Sequence, residues 1–455
     1  MDPSPRPPLP AKVRGVLAGV LVAAFCAHLL TLQPGFFWNG DAAQLLVHSH
    51  NLVEGAPYAD TGYIQNPERF LAPVAYPPGL PLLMAPVVAM LGYDAPHLNT
   101  ALKIQMLLFL LGAAALLVYH LRTTLRTSLL VALALALSLQ PTLWVQKHLM
   151  LTMLPFLFVS LLALTLYERA SQPTSQAGRA LGWGVLAGAM AWYAVLVRPS
   201  GIAVLLSFVA YDLVRHRRLS RVFAAAILGA LLVFGAQHVL LDTGAGARIA
   251  ATTSPDVEVE RTGGSYLALA KQDLLRRLDT VPKQMLERTL GYTRQATVIL
   301  ANTGLPAPWG STLRYGLSLL LGSLIIWGFV HRLFRGMTPL EPFAVLYLGT
   351  LLPWTFQQPW YIVPLIPLLY VYMAIGLEEL WTRHAQTGRL VGALVGVSLV
   401  GVYLVHPAWS PPYVTSAQDR LVTTPEALQF YADVRTHTPP SATLLSTHFA
   451  RPLMF

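Results

Sequence analysis

The residues best placed to do chemistry lie in one stretch, FFWNGDAAQLLVHSHNLVEG, residues 36–55. Asp41, Gln44, His48 and Asn51 stand at i, i+3, i+7 and i+10, so on a helix beginning near residue 40 they share one polar stripe. Ala42, Leu45, Leu46, Leu52 and Val53 form the adjoining apolar face. A carboxylate in that setting can take a proton from an attacking hydroxyl. Asp41 reads equally as a helix N-cap, and His48 and His50 read as surface residues of an interfacial helix. Asp41 and His48 are weak candidates for a metal site, because two histidines and one acid lack a strong metal-binding spacing. Further on, AYPPGLPLLMAP, residues 75–86, sets two prolines and a glycine as a rigid turn ahead of a short apolar helix.

The elements that must position these groups are membrane spans. Of 455 residues 55% are hydrophobic, and only 31 are Lys or Arg and 21 Asp or Glu, about half the usual charge density. The chain reads as an all-α polytopic membrane protein. Eleven apolar segments are long enough to be considered: 12–33, 101–121, 127–143, 150–167, 180–197, 199–214, 222–241, 312–331, 340–355, 360–377 and 389–407. A twelfth, Phe70 to Tyr93, holds five prolines, and charge decides against its crossing. If it stays on one side, Arg122, Arg126, Arg169, Arg179, Arg215, Arg217, Arg218, Arg221, Arg332, Arg335, Arg383 and Arg389 all face the cytoplasm. The segment is therefore expected to be a short re-entrant or interfacial helix in an outer loop, and the N-terminus, with Arg6, Lys12 and Arg14, to be cytoplasmic.

Residues 1–407 then form one transmembrane domain with long outer loops at 34–100 and 242–311. Residues 408–455 form an extracytoplasmic segment. In that tail TPEALQFYADVRTH suggests a helix and SATLLST a strand, the start of a small α/β unit that stops early. The loop 242–311 suggests an amphipathic helix from about Ser265 to Leu290. The net charge of +10 is mainly a topology record, since the basic residues form no stripe. A single cysteine, Cys26, excludes a disulfide framework, and no glycine pattern for a soluble nucleotide appears.

The order of features resembles the GT-C superfamily of membrane glycosyltransferases. It consists of an acid after the first span, an amphipathic helix, YPPG with PLLMAP, then MLPFLFVSLLAL, Arg198-Pro199 followed by Ser-Gly, and a late YIVPLIPLL. The bacterial branch containing lipid A aminoarabinose transferases, lipopolysaccharide core galacturonosyltransferases and protein O-mannosyltransferases is the most similar. The resemblance implies an enzyme of the bacterial inner membrane that moves a sugar from a polyprenyl-phosphate carrier to a glycan, lipid or protein acceptor at the outer face. It makes Asp41 the catalytic base or a ligand of a divalent metal, the one cofactor it leaves open. The leaving lipid phosphate needs a cation. Arg198 is the first candidate, at the outer edge of two apolar segments, although it also reads as a helix-end residue snorkelling to the headgroups. Lys147, Arg69 and Lys103 are the others. Gln44, His48, Asn51, Tyr76 and Tyr361 are expected to line the substrate cavity.

Two positions depart from the family pattern. Met153 stands where an aspartate is common, and Trp360 where a basic residue often precedes the tyrosine. The first weakens a metal-assisted mechanism and the second a specific phosphate contact. Two other readings follow: a transporter or flippase of lipid-linked substrates, and a catalytically inactive relative. No acid stands near the middle of any expected span, which favours an outer-face enzyme over the transporter.

Overall fold

The computed structural model describes residues 10–32, 41–61, 75–172, 176–241, 307–351 and 359–405, with four isolated helical residues between 429 and 437. Arg69, the Ser265 to Leu290 helix and the proposed strand of the tail lie outside the described residues.

Every described element is helical. Seven of the eleven apolar segments are helices long and apolar enough to cross a membrane. These are α1 (Ala11–Leu30), α4 (Leu98–Leu121), α7 (Met153–Ala170), α8 (Ala177–Val197), α10 (Arg221–Leu240), α11 (Ala307–Arg335) and α13 (Ile366–Arg383), the last continuous with a 3₁₀ turn, Pro359–Leu365. Of the others, α9 (Ile202–His216) and α12 (Leu340–Leu351) are shorter, with 15 and 12 residues, and α14 is Ala385–Val405. Of the helices expected at the interface, α2 is Ala42–Glu54 and α3 is Gly79–Leu91. With 13 residues, α3 is about 20 Å long, too short for a hydrocarbon layer of about 30 Å.

One expected span is corrected. Segment 127–143 is two helices, α5 (Thr127–Leu139) and α6 (Pro141–Leu149), bent by 44°. The cause is local. Pro141 has no N–H and holds Gln140 extended, and the Gln140 side chain accepts from Leu143 N at 2.6 Å to start a new helix. Lys147 therefore lies inside α6 and not in a turn between spans.

The core runs through α4, α7, α8, α9 and α13, with α7 packed on α8 and α8 on α10. At the far end of α4 from Lys103, polar contacts tie the N-terminal and C-terminal halves together. His120, paired with Glu168 at 2.6 Å, reaches Thr338 Oγ1 at 3.2 Å, and Arg126 grips Glu378 through Nε and Nη2, both at 2.9 Å. Buried Glu341 accepts from Thr338 N and Oγ1 and faces Arg332 at 3.4 Å.

Candidate active site

The site is built from α2 outward. Asp41 is the N-cap residue of α2, and its main-chain oxygen accepts from Leu45 N at 3.0 Å, but its carboxylate makes no cap hydrogen bond. The capping role that could account for an acid here is thus not filled by the side chain. At the other end Gly55 takes φ +70°, which stops the helix at little steric cost.

The polar stripe of α2 is buried against its own loop. Gln44 and His48 have no exposed surface, and Asn51 very little. His48 Nδ1–H donates to Tyr58 O at 2.7 Å, and its Nε2 accepts from Tyr76 N at 3.2 Å. The Tyr58 ring stacks on the imidazole at 4.3 Å, and Tyr58 Oη donates to Tyr76 O at 2.8 Å. Asn51 donates to Pro57 O and Asp60 O. Burial pushes the His48 imidazole down to about 4, against a smaller upward pull from the Tyr58 carbonyl. A neutral ring with both nitrogens engaged is a clamp. It fixes the 57–60 turn and Tyr76, and it has no lone pair left for a metal. No group of three His, Cys, Asp or Glu converges among the described residues. Among the described residues, no set fits a metal site.

From Tyr76 the chain runs through Pro77-Pro78 into α3, and Gly79 lands on the last turn of α8. A Cβ there would meet Val197 N and stand 2.5 Å and 2.7 Å from the Leu196 carbonyl carbon and oxygen. Tyr193 Oη donates to Gly79 O at 2.8 Å. The next residue past α8 is Arg198. Gly201 repeats the device, for its Cβ would lie 2.5 Å from Ala194 O. The two glycines thus let the first-loop corner and the Pro199–Gly201 turn press on the last turn of α8, next to Arg198.

Arg198 is half-buried. Its Nη1 donates to Thr152 Oγ1 at 3.2 Å and meets Met153 Sδ at 2.6 Å. The guanidinium carbon stands 4.9 Å from the Tyr361 ring centroid and 6.0 Å from that of Phe156. Among the described residues no carboxylate pairs with it, so Nε–H and both Nη2–H remain for a ligand. It faces the N-terminus of α7, where helix amides favour an anion. Thr152 went unnoticed in the sequence, and Met153 stood out only as a missing acid. The α6–α7 link that delivers both passes through Met150 at φ +48°, an uncommon conformation for a residue with a side chain.

Sequence comparison finds no matching family model and no matching curated protein. Solved structures do match. ArnT from Cupriavidus metallidurans bound to undecaprenyl phosphate aligns at TM-score 0.53 and 16% identity, over 94% of this chain and 72% of that one. The chain has the GT-C fold. The archaeal oligosaccharyltransferase AglB from Archaeoglobus fulgidus, in complex with an inhibitory peptide and a dolichol-phosphate, aligns at 0.54 and 14%, over 97% of this chain. An Archaeoglobus fulgidus oligosaccharyltransferase complex with Zn and sulfate aligns at 0.53 and 12%. The chain spans 62% and 58% of these two longer proteins.

Within this fold, Lys147 and Lys103 are buried within electrostatic range of each other. Lys147 Nζ donates to His28 O at 3.0 Å, Thr31 Oγ1 at 2.8 Å and His28 Nδ1 at 3.2 Å, and lies 4.1 Å from the Trp144 ring centroid. His28 in turn donates from Nε2 to Ser138 O at 2.8 Å and stacks on Trp144. All three ammonium hydrogens are engaged at the C-terminus of α1, where the helix dipole favours a cation. Lys147 is a staple between α1 and α6. Of the expected cavity residues, Tyr361 is the one in contact with Arg198. His48, Asn51 and Tyr76 belong to the clamp on the 57–60 turn, and Gln44 is buried on the same helix.

Proposed function

We propose that the chain is a glycosyltransferase. It moves a sugar from a polyprenyl-phosphate carrier to a hydroxyl-bearing acceptor at the outer face of the bacterial cytoplasmic membrane. One observation carries the reading: a half-buried arginine, held by a hydroxyl, a thioether and aromatic faces with no described carboxylate, at a helix N-terminus. A charge so placed needs an anionic ligand. The fold match to ArnT bound to undecaprenyl phosphate and AglB with a dolichol-phosphate supports a lipid phosphate as that ligand.

In the reaction, Asp41 accepts the proton of the acceptor hydroxyl as that oxygen bonds to the anomeric carbon. The bond from that carbon to the phosphate oxygen breaks, and its electron pair leaves with the polyprenyl phosphate beside Arg198. Phosphate departs without needing protonation, so one carboxylate suffices, unlike the paired acids of a glycosidase. The clamp on His48 and the Gly79 contact join the Asp41 helix to the end of α8 next to Arg198, which supports the positional control such a transfer needs.

Purified protein reconstituted with total bacterial polyprenyl-phosphate sugars should release free polyprenyl phosphate. Asp41→Asn should abolish that release and Glu54→Gln, an exposed acid at the end of α2, should preserve it. Full turnover by Asp41→Asn would refute the mechanism. Binding of the carrier with no release by the unaltered protein would favour the inactive reading.

A further inference from the structure

We infer that Met153 is a positioning residue, one that holds the Arg198 guanidinium by a neutral contact and so leaves its full charge to the bound phosphate. The inference rests on the lipid-phosphate reading of the Arg198 site. Met153 is the first residue of α7, a position where an acid is favoured by the free amides and the dipole. Methionine contributes nothing of that kind to the helix. Its sulfur instead meets Nη1 of Arg198 at 2.6 Å, beside the Thr152 hydroxyl on the same nitrogen.

A thioether is a weak acceptor that orients a donor without cancelling its charge. A carboxylate in the same place would form a charge-assisted pair with the guanidinium and offset the charge the phosphate needs. The remaining contacts, to the Tyr361 and Phe156 rings, also fix the plane of the group while leaving it cationic. Every described contact of Arg198 therefore orients it, and none neutralises it. The Nη1 side is anchored and the Nε–Nη2 edge is left for two parallel hydrogen bonds to phosphate oxygens.

The test compares Met153→Asp with Met153→Asn, side chains of one shape that differ in charge. The probe is a polyprenyl phosphoglucose, whose phosphodiester keeps a single charge across the working pH range. Met153→Asn should bind it within about threefold of the unaltered protein, and Met153→Asp at least about tenfold more weakly. Affinity of Met153→Asp should recover as pH falls into the carboxylate range, while the other two stay flat. A purely structural role would not produce that pH profile. An acid at a helix start is tolerated, and the pair Met153→Glu and Met153→Gln gives the same comparison should Met153→Asp fail to fold. Equal, pH-independent binding by the Asp and Asn variants would overturn the inference. Arg198→Gln separates the two levels: if it binds as well as the unaltered protein, the phosphate reading itself fails.

Discussion

Replacing Gly79 with alanine adds one methyl group at the joint between the first long loop and Arg198, and the geometry fixes its effect. The new Cβ would stand 2.5 Å from the Leu196 carbonyl carbon and press on Val197 N, whereas ordinary contact begins at 3.4 Å. The atoms it meets are main chain inside the last turn of a helix, so no side chain can rotate away. The corner and α8 must separate by about 1 Å, and such overpacking costs about 1–3 kcal/mol. Because Tyr76 N donates to His48 of α2 and the chain runs from Tyr76 through Pro77-Pro78 to Gly79, the displacement reaches the Asp41 helix as well as the Arg198 end. A misplacement of about 1 Å between reacting groups lowers a transfer rate on the order of 100-fold. The assay is initial-rate release of polyprenyl phosphate by Gly79→Ala, with thermal unfolding in detergent measured alongside. The expected result is a folded protein, slightly less stable, with carrier affinity near normal and turnover about two orders of magnitude down. Gly235→Ala, where a Cβ meets nothing, is the control and should leave turnover unchanged. If Gly79→Ala turns over at the normal rate, the loop corner does not set the distance between Asp41 and Arg198.

Three further outcomes are expected. His48 refuses a proton in the folded loop until about pH 4, whereas an exposed histidine titrates near 6.5. The clamp is therefore at full strength above 6.5 and loses up to about 3 kcal/mol as pH falls toward 4. Hydrogen exchange of the 42–61 backbone should rise over that window and cease to do so in His48→Gln. Lys147→Met removes the staple at the end of α1 and should cost about 1–3 kcal/mol in thermal unfolding. It should leave lipid-phosphate affinity within about threefold, and a large loss of affinity would return Lys147 to the list of phosphate ligands. Gly201→Ala, pressed on Ala194, should mimic Gly79→Ala in turnover. Unchanged kinetics would argue that the Pro199–Gly201 turn does not position Arg198.

Much of the scaffold was legible from composition and period. Scarcity of charge exposed the spans, the placing of the arginines argued against counting residues 70–93 as one of them, and the i, i+3, i+7 stripe gave α2 nearly its observed length. The direction of that stripe was not legible. A polar face on an interfacial helix suits a water-filled cavity, yet here it turns inward, because the 57–60 turn and Tyr76 supply backbone partners that no local pattern reveals. The break between α5 and α6 was written in Gln140-Pro141 but was masked by unbroken hydropathy on both sides. The contact of Arg198 with Thr152, Met153 and Tyr361 joins three distant parts of the chain, which spacing cannot show. The glycines of YPPG and PSG looked like turn formers, and their larger role is close approach to the end of α8.

The account stands on a lipid phosphate at Arg198, and density for that ligand is the most direct test. Electron cryomicroscopy of the protein in a lipid nanodisc with undecaprenyl phosphate should show the phosphate within about 3 Å of Arg198 Nε and Nη2, at the start of α7. Phosphate density against Lys103 and Lys147, with Arg198 left bare, would contradict it.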